Sequence, residues 1–295
     1  MPSYGELVIY ATPKGKRYLK RLEEGQDWHS ADGILRAEDI AAAEFGSEVK
    51  TSLGVPVRVQ KPALFDLIKG VKRQTQIIYP KDIAYICMRL GVGSGRTIIE
   101  AGSGSGGLTL ALSWFSGTTG HVHTHEAREE FHKLAKRNLA WAGVGENVTF
   151  HHQDIANGFC TSNADALFLD VRTPWEYLDH AVAAVRPGAM LGFLLPTVDQ
   201  VGKLLLGLEK GAFAEIEVCE LLLRTWKPVA DRLRPSDRMI AHTGFLVFCR
   251  HQERSDDFES RKPMGTRERK QEKARQERLA LANGEQEQGD DSGEE

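Results

Sequence analysis

The chain has 295 residues, 41% of them hydrophobic, with a net charge of −3 at pH 7, enough for one α/β domain with a smaller companion. No apolar run reaches the ~18 residues of a membrane span, and Met1–Glu6 lacks the basic and apolar regions of a secretion signal, which excludes a membrane protein and points to the cytoplasm. Cys87, Cys160, Cys219 and Cys249 lie far apart with no Cys-x-x-Cys pair, so neither a disulfide frame nor a structural metal is expected, and the near-neutral charge leaves nucleic-acid binding to a local basic patch.

Residues 1–62 alternate short β-like runs with turn signals, at Glu6–Ala11, Arg17–Leu22, Gly33–Arg36 and Val55–Val59, and predict a small N-terminal β domain. Lys14, Lys16, Arg17, Lys20 and Arg21 cluster there, as a solvated strand face or a nucleic-acid contact. Residues 63–95 form a linker and a leading helix: Gln76–Asp82 precedes an amphipathic run, Ile83–Leu90, for which Asp82 is a candidate N-cap.

From residue 96, apolar strands alternate with helical patterns over 96–250, which predicts parallel strands joined by right-handed crossovers. The strands fall at Thr97–Glu100, His121–Glu126, Val148–Asp154, Ala166–Asp170, Met190–Leu195, Glu215–Leu223 and Thr243–Cys249. The apolar stripe Val198–Leu208 reads as a core helix. The first strand opens into Gly102, Ser103, Gly104, Ser105, Gly106 and Gly107, a turn whose glycines admit positive φ and close ligand approach at a helix N-terminus. Glu100, at the end of that strand just before the glycine turn, would repel a pyrophosphate but suits the cationic amino-acid end of S-adenosylmethionine.

Ligands of such sheets sit beyond the carboxyl ends of the strands, and Glu100, Glu126, Asp154 and Asp170 all lie there. Glu126 can accept hydrogen bonds from both ribose hydroxyls of an adenosine, or be a solvated strand end. Asp154 can accept from an adenine amine while Ile155 packs on the ring, or cap a turn. Asp170, closing the fourth strand, lies nearest the transferring methyl group. His121, His123 and His125 share a strand face by period two and are read as packing, not as a metal site.

Residues 251–295 are charged and predict a disordered tail or a lone helix; Arg261–Arg278 is basic and Glu285–Glu295 acidic, a tRNA contact or a solubilising segment.

Gln76–Asp82 (Gln-Ile-Ile-Tyr-Pro-Lys-Asp), Glu100–Gly107, Phe168-Leu-Asp170 with Pro174-Trp175, and His242–Phe248 together resemble the tRNA adenine-N1 methyltransferases that modify position 58 of the T-loop. The likeness spans residues 5–250, and its Tyr-Pro-Lys-Asp and Asp…Pro-Trp elements are more specific than the glycine turn. It implies a class I Rossmann-like methyltransferase fold, with a seven-stranded, mostly parallel sheet and a small N-terminal β domain. It also implies S-adenosylmethionine as donor, tRNA as substrate and, in bacterial and archaeal members, a homotetramer. Carried over, Glu100, Gly102–Gly107, Glu126, Asp154 and Ile155 bind the cofactor, and Asp170 serves catalysis beside the methyl group. Tyr79 lies near the target base, with Tyr79, Tyr85 or Trp175 as stacking faces. Arg172, Arg224, Lys227, Arg232, Arg234 and Arg238 are candidates for a phosphate-binding rim, and His242 joins the substrate side. Arg172 stands where members often carry proline. The alternatives are a methyltransferase of the same fold for another acceptor, such as protein isoaspartate or a tetrapyrrole precursor, and a noncatalytic tRNA-binding subunit; the intact glycine turn and acids speak against the latter.

Overall fold

The computed structural model describes residues 1–74, 76–252, 271, 273 and 274. Met1–Glu253 is one compact unit. It opens with β1 (Leu7–Ala11), β2 (Arg17–Arg21), β3 (Trp28–Ser30), β4 (Gly33–Leu35), α1 (Ala37–Ala42), β5 (Glu48–Lys50) and β6 (Pro56–Gln60). Four of these strands form an antiparallel sheet in the order β2-β1-β6-β5, while β3 and β4 pair separately. Alternation along β1 and β6 drives Val8, Tyr10, Val57 and Val59 into a core closed by Leu35 and Ile40, with Tyr10 and Tyr18 tilted against Trp28 at 5.0 and 5.2 Å. Three elements here, β3, β5 and α1, are too short to leave a periodic signal.

The connecting helices α2 (Leu64–Gly70) and α3 (Pro80–Leu90) lead to the main sheet. Helix α3 begins three residues earlier than the expected run, because Pro80 at its first position fits the helix start with its fixed φ and missing N–H. Its N-cap is Tyr79 and not Asp82, which sits inside the first turn with its carboxylate turned to a tertiary partner.

The main sheet comprises β7 (Thr97–Ala101), β8 (His121–Glu126), β9 (Val148–His152), β10 (Ala164–Leu169), β11 (Val185–Leu195), β12 (Phe213–Cys219) and, after the small ladder β13 (Trp226–Lys227) and β14 (Arg234–Pro235), β15 (Phe245–His251). Its helices are α4 (Gly107–Ser116), α5 (Glu129–Ala142), α6 (Leu178–Ala184) and α7 (Val198–Lys210). The strand order is β12-β15-β11-β10-β7-β8-β9, with β7 through β11 parallel. The sheet is mostly parallel, as expected; the exception is β15, which runs antiparallel to both β11 and β12. A parallel return needs a long crossover, usually helical; residues 220–244 contain no α-helix, so the chain comes back as a wide hairpin.

Both faces of the sheet are covered. Ile98, Ala166, Phe168 and Phe248 pack with α2, α3 and α4, while Ile99, Leu167, Leu169, Phe193 and Val247 pack with α6 and α7. This two-sided burial explains why the strands read as continuous apolar runs. Of residues Arg254–Glu295, the second compact unit, Gln271, Lys273 and Ala274 are helical and exposed; the remaining expectations for the tail lie outside the described residues.

Candidate active site

The turn between β7 and α4 is shaped by two glycines. Gly102 has φ +88°, and a Cβ there would lie 2.2 Å from the carbonyl oxygen of Asp170, so only hydrogen lets the two strand ends pass. Gly106 caps α4 with φ +80°, and its missing side chain leaves room for Leu139 and Ala135 of α5. The turn is pinned from both sides: the Gly102 amide donates to the His125 carbonyl at 2.9 Å, and the Asp170 amide to the Ala101 carbonyl at 2.9 Å.

These constraints bring the ends of β7, β8 and β10 around a cavity of about 480 Å³. Glu100, Gly102, Ser103, Gly104, Ser105, Gly107, Glu126, Asp170 and Arg172 line it, together with Gln76, Ile77, Ile78 and Arg128, which sequence reasoning did not assign to the site. Gln76–Ile78 belong to the segment before Tyr79, so their motif was visible while their place against the glycine turn was not.

Three carboxylates converge here. Glu100 is fully buried, and its Oε2 accepts from the Thr109 and Thr124 hydroxyls, both at 2.6 Å. Burial nevertheless pushes its carboxyl up to about 7. Glu126 is 5% exposed; Oε2 accepts from the Gly104 amide at 3.0 Å and Oε1 from the Arg128 amide at 3.1 Å. Asp170 is half-buried, and burial, then the Glu126 carboxylate, push it up to about 6. Among the described residues, the cations against these acids are Arg128, whose guanidinium reaches Glu126 at 3.5 Å, and Arg172. A cleft so built lacks counter-charge, and a cationic ligand supplies it. Ser103 is buried with its hydroxyl against Thr124, so the turn presents backbone to the cleft at that position.

The other expected residues lie elsewhere. Asp154 Oδ1 accepts from the Ala156 amide at 2.9 Å and caps the short 3-10 turn Ile155–Asn157; Ile155 is buried against the α6–α7 side of the core, and neither lines the cavity. Tyr79 accepts a bond from Gln76 at 3.3 Å and, with Arg238, lines a second, adjoining groove. Trp175 packs partly buried on α7 beneath Lys203, whose Nζ is 5.8 Å from the ring centroid. His242 is held by Glu220 at 2.6 Å and the Pro196 carbonyl at 3.0 Å. Thus Tyr79 and Arg238 line one groove, whereas Trp175 and His242 line neither cavity.

Of the early basic residues, Lys14 pairs with Asp32 at 2.9 Å and Arg17 with Asp66 at 3.1 Å, while Arg21 donates to the Gly5 and Trp141 carbonyls. In the later rim Lys227 pairs with Asp237. His123 and His125 of β8 stack with His151 of β9, at 5.4 and 4.4 Å between centroids, and burial lowers both to about 4, so they pack as neutral rings. His125, His151 and Cys160 bring ligand-type atoms within 4.8 Å of one another, the one such group among the described residues. All four cysteines are free thiols; Cys160 is exposed, and Cys87 and Cys249 are buried.

Residues 60–278 match the family described as the tRNA methyltransferase complex GCD14 subunit. The chain belongs to that family. The match to the GCD14 family starts at the last residue of β6 and runs past residue 250 into the charged segment. This GCD14-family chain is 33% identical over 265 residues to the tRNA (adenine(57)-N(1)/adenine(58)-N(1))-methyltransferase TrmI of Methanocaldococcus jannaschii, covering 80% of this chain and 92% of the relative. It is 34% identical over 238 residues to the tRNA (adenine(58)-N(1))-methyltransferase TrmI of Thermus thermophilus, covering 80% and 93%. Among solved structures, TrmI from Aquifex aeolicus superposes with a TM-score of 0.75 at 37% identity, covering 86% and 99% of the two chains. A Thermotoga maritima protein described as a SAM-dependent O-methyltransferase gives 0.82 at 39%, covering 87% and 96%. The fold is the seven-stranded methyltransferase sheet, and the protein is a methyltransferase.

Proposed function

We propose that this protein transfers the methyl group of S-adenosylmethionine to N1 of adenine 58 in the T-loop of tRNA. The observation that carries the reading is the convergence of Glu100, Glu126 and Asp170 at the glycine turn, within a chain matching tRNA (adenine-58) methyltransferases over four-fifths of its length. The cavity fits the cofactor: carboxylates balance a sulfonium and an ammonium, and the bare backbone at Gly102–Gly107 admits the amino-acid end. When bound, S-adenosylmethionine supplies the electrophilic methyl group.

Glu126, held by the Gly104 and Arg128 amides, presents its carboxylate for the ribose hydroxyls, and Asp154 serves the adenine edge with Ile155 behind it. Asp170 accepts a hydrogen bond from the 6-amino group of the target base. That contact raises electron density at N1, a weak nucleophile, and offsets the positive charge that develops on the base as the methyl arrives. N1 lies on the pairing edge, so the nucleotide has to leave its stack to reach Asp170. Tyr79, one turn of chain from the cavity wall at Gln76, supports the extruded base, and Arg172 and Arg238 meet phosphates. Trp175 and His242 act one step back, by bracing the Asp170 loop against α7 and the β15 entry against Glu220.

The same reading assigns residues 1–62 to a small β domain, 63–95 to a linker and leading helix, 96–250 to the catalytic domain, and the chain to the cytoplasm. It also assigns four copies per assembly; the exposed apolar residues Trp226, Val229 and Leu233 on the β13–β14 projection are surface of the kind that subunits cover. No helix among the described residues is long and apolar enough to cross a membrane.

The test is incubation of the purified protein with an unmodified tRNA transcript and methyl-labelled S-adenosylmethionine, then nucleoside mass spectrometry with position mapping. N1-methyladenosine at position 58 is the expected product. A ribose-O-methylated nucleoside, or no tRNA product, defeats the reading.

A further inference from the structure

Beside the cofactor cavity, sharing Gln76 and Ile77 with it, runs a second groove of about 530 Å³. Its walls come from four distant stretches: α2 and the segment after it, the start of α3, the strand exit at Leu223–Thr225, and Arg238–Ile240 before β15. The last two are tied together, since the Thr225 hydroxyl donates to Ser236 at 2.9 Å and the Ser236 amide to the Thr225 carbonyl at 2.9 Å. The lining has two chemical halves. Phe65, Tyr79 and Ile240 offer flat or apolar surface, with Phe65 53% and Ile240 54% exposed. Lys69, Arg73, Lys81 and Arg238 bring four cations, and among the described residues no carboxylate lines the groove.

Lys81 is neutralised by Asp82 at 2.7 Å. Lys69, Arg73 and Arg238 form no ion pair among the described residues; Lys69 instead lies 5.2 Å above the Phe65 ring, one helical turn away on the same face of α2. Aromatic surface interleaved with unpaired cations is the chemistry that binds an unstacked nucleotide, a ring for the base and cations for its phosphates. A purely apolar partner would leave three cations without counter-ions.

Resting on the tRNA reading above, we propose that this groove is a second nucleotide subsite: it holds a nucleotide flanking the target adenine in the same RNA. The base stacks on Phe65, and Lys69, Arg73 and Arg238 take the adjoining phosphates. The wall shared through Gln76 and Ile77 places this neighbour directly beside the reacting base, so the groove reads the strand that the adenine leaves.

The experiment measures binding of an unmodified T-arm hairpin, and of hairpins carrying an abasic site at each nucleotide flanking the target, to the wild-type full chain and to Phe65→Ala, Phe65→Trp and Lys69→Ala/Arg73→Ala. Phe65→Ala is expected to weaken hairpin binding about tenfold, and Phe65→Trp to restore it, because stacking tolerates either ring. One flanking abasic site should cost wild type the same factor and cost Phe65→Ala nothing more, the signature of one shared contact. Lys69→Ala/Arg73→Ala should flatten the salt dependence of log K by about 1 for each phosphate contact removed. Affinity for S-adenosylmethionine, read by calorimetry, should hold in every variant. Strictly additive losses, or unchanged hairpin affinity in a wild-type background that methylates tRNA, overturn the subsite alone. A change of molecular mass by light scattering in Phe65→Ala, with RNA affinity intact, assigns the groove to a subunit contact and overturns it as well. Failure of the wild-type chain to bind or methylate the RNA overturns the function and the subsite together.

Discussion

Replacing Asp170 by asparagine tests the chemistry at one atom pair. The side chain keeps its shape at the end of β10, and the Asp170 amide still bonds the Ala101 carbonyl, so the strand end stays in place. What is lost is the negative charge that accepts from the 6-amino group and faces the cationic product. Acid–base and electrostatic groups of this kind are each worth about 10²–10⁴ in rate, or roughly 3–5 kcal/mol of transition-state stabilisation. The variant should therefore lose kcat by that factor while keeping its affinity for S-adenosylmethionine within a few-fold. The wild-type pH profile is a second readout. Burial and Glu126 push the Asp170 carboxyl up to about 6 in the free protein, so the accepting, ionised form is lost as pH falls through 6. kcat/KM for tRNA should rise tenfold per pH unit below 6 and level above it, and Asp170→Asn should abolish that limb. Initial rates of label transfer to a tRNA transcript from pH 5 to 8 give both results. Turnover retained within threefold, or a limb that survives the substitution, refutes the role of Asp170.

Three further outcomes follow from the same contacts. Glu100 has its folded pKa raised to about 7 by burial, so its contribution to stability is full below its unfolded value near 4.5 and is lost as pH rises through 7. Glu100→Gln should accordingly gain up to about 3 kcal/mol at pH 8 and almost nothing at pH 4 in urea unfolding, while weakening S-adenosylmethionine binding; equal gains at both pH values contradict the assignment. Gly102→Ala puts a methyl group 2.2 Å from the Asp170 carbonyl at a φ that costs an L-residue about 1 kcal/mol or more, and the shift it forces on the end of β10 should cut kcat/KM by about 10² with the circular dichroism spectrum kept. Asp82→Ala strands the Lys81 ammonium, whose side chain is 10% exposed, and should cost about 3–5 kcal/mol in denaturant unfolding; a loss under 1 kcal/mol shows that the pair is not buried in solution.

Much of the site was legible because its signals are local. A strand that ends in glycines needing positive φ announces itself within a dozen residues, and Glu100, Gly102 and Asp170 do line one cavity. Short apolar runs alternating with helical patterns likewise located all seven strands of the main sheet, within two to four residues at most ends. Asp82 shows where local reading stops. Asp beside a helix start is ordinarily a cap, yet its Oδ2 accepts from the Thr243 hydroxyl at 2.7 Å, a partner 161 positions away. Asp154, by contrast, makes the local cap that its position allows. Phe65, Lys69 and Arg73 looked like linker because no local pattern tells a solvated cation from one that faces a groove.

The sequence by itself determined the strands of the main sheet, the glycine turn, and the acids at the strand ends, since backbone conformation and side-chain pattern depend on neighbours within a few residues. Only the tertiary structure decided that β15 slots antiparallel between β11 and β12, that Lys81, Asp82 and Thr243 lock α3 to the segment entering that strand, and that two cavities share the Gln76–Ile77 wall. Those outcomes rest on contacts between residues far apart in the chain, whose free energy comes from burial and charge pairing that exist only once the sheet has closed around them.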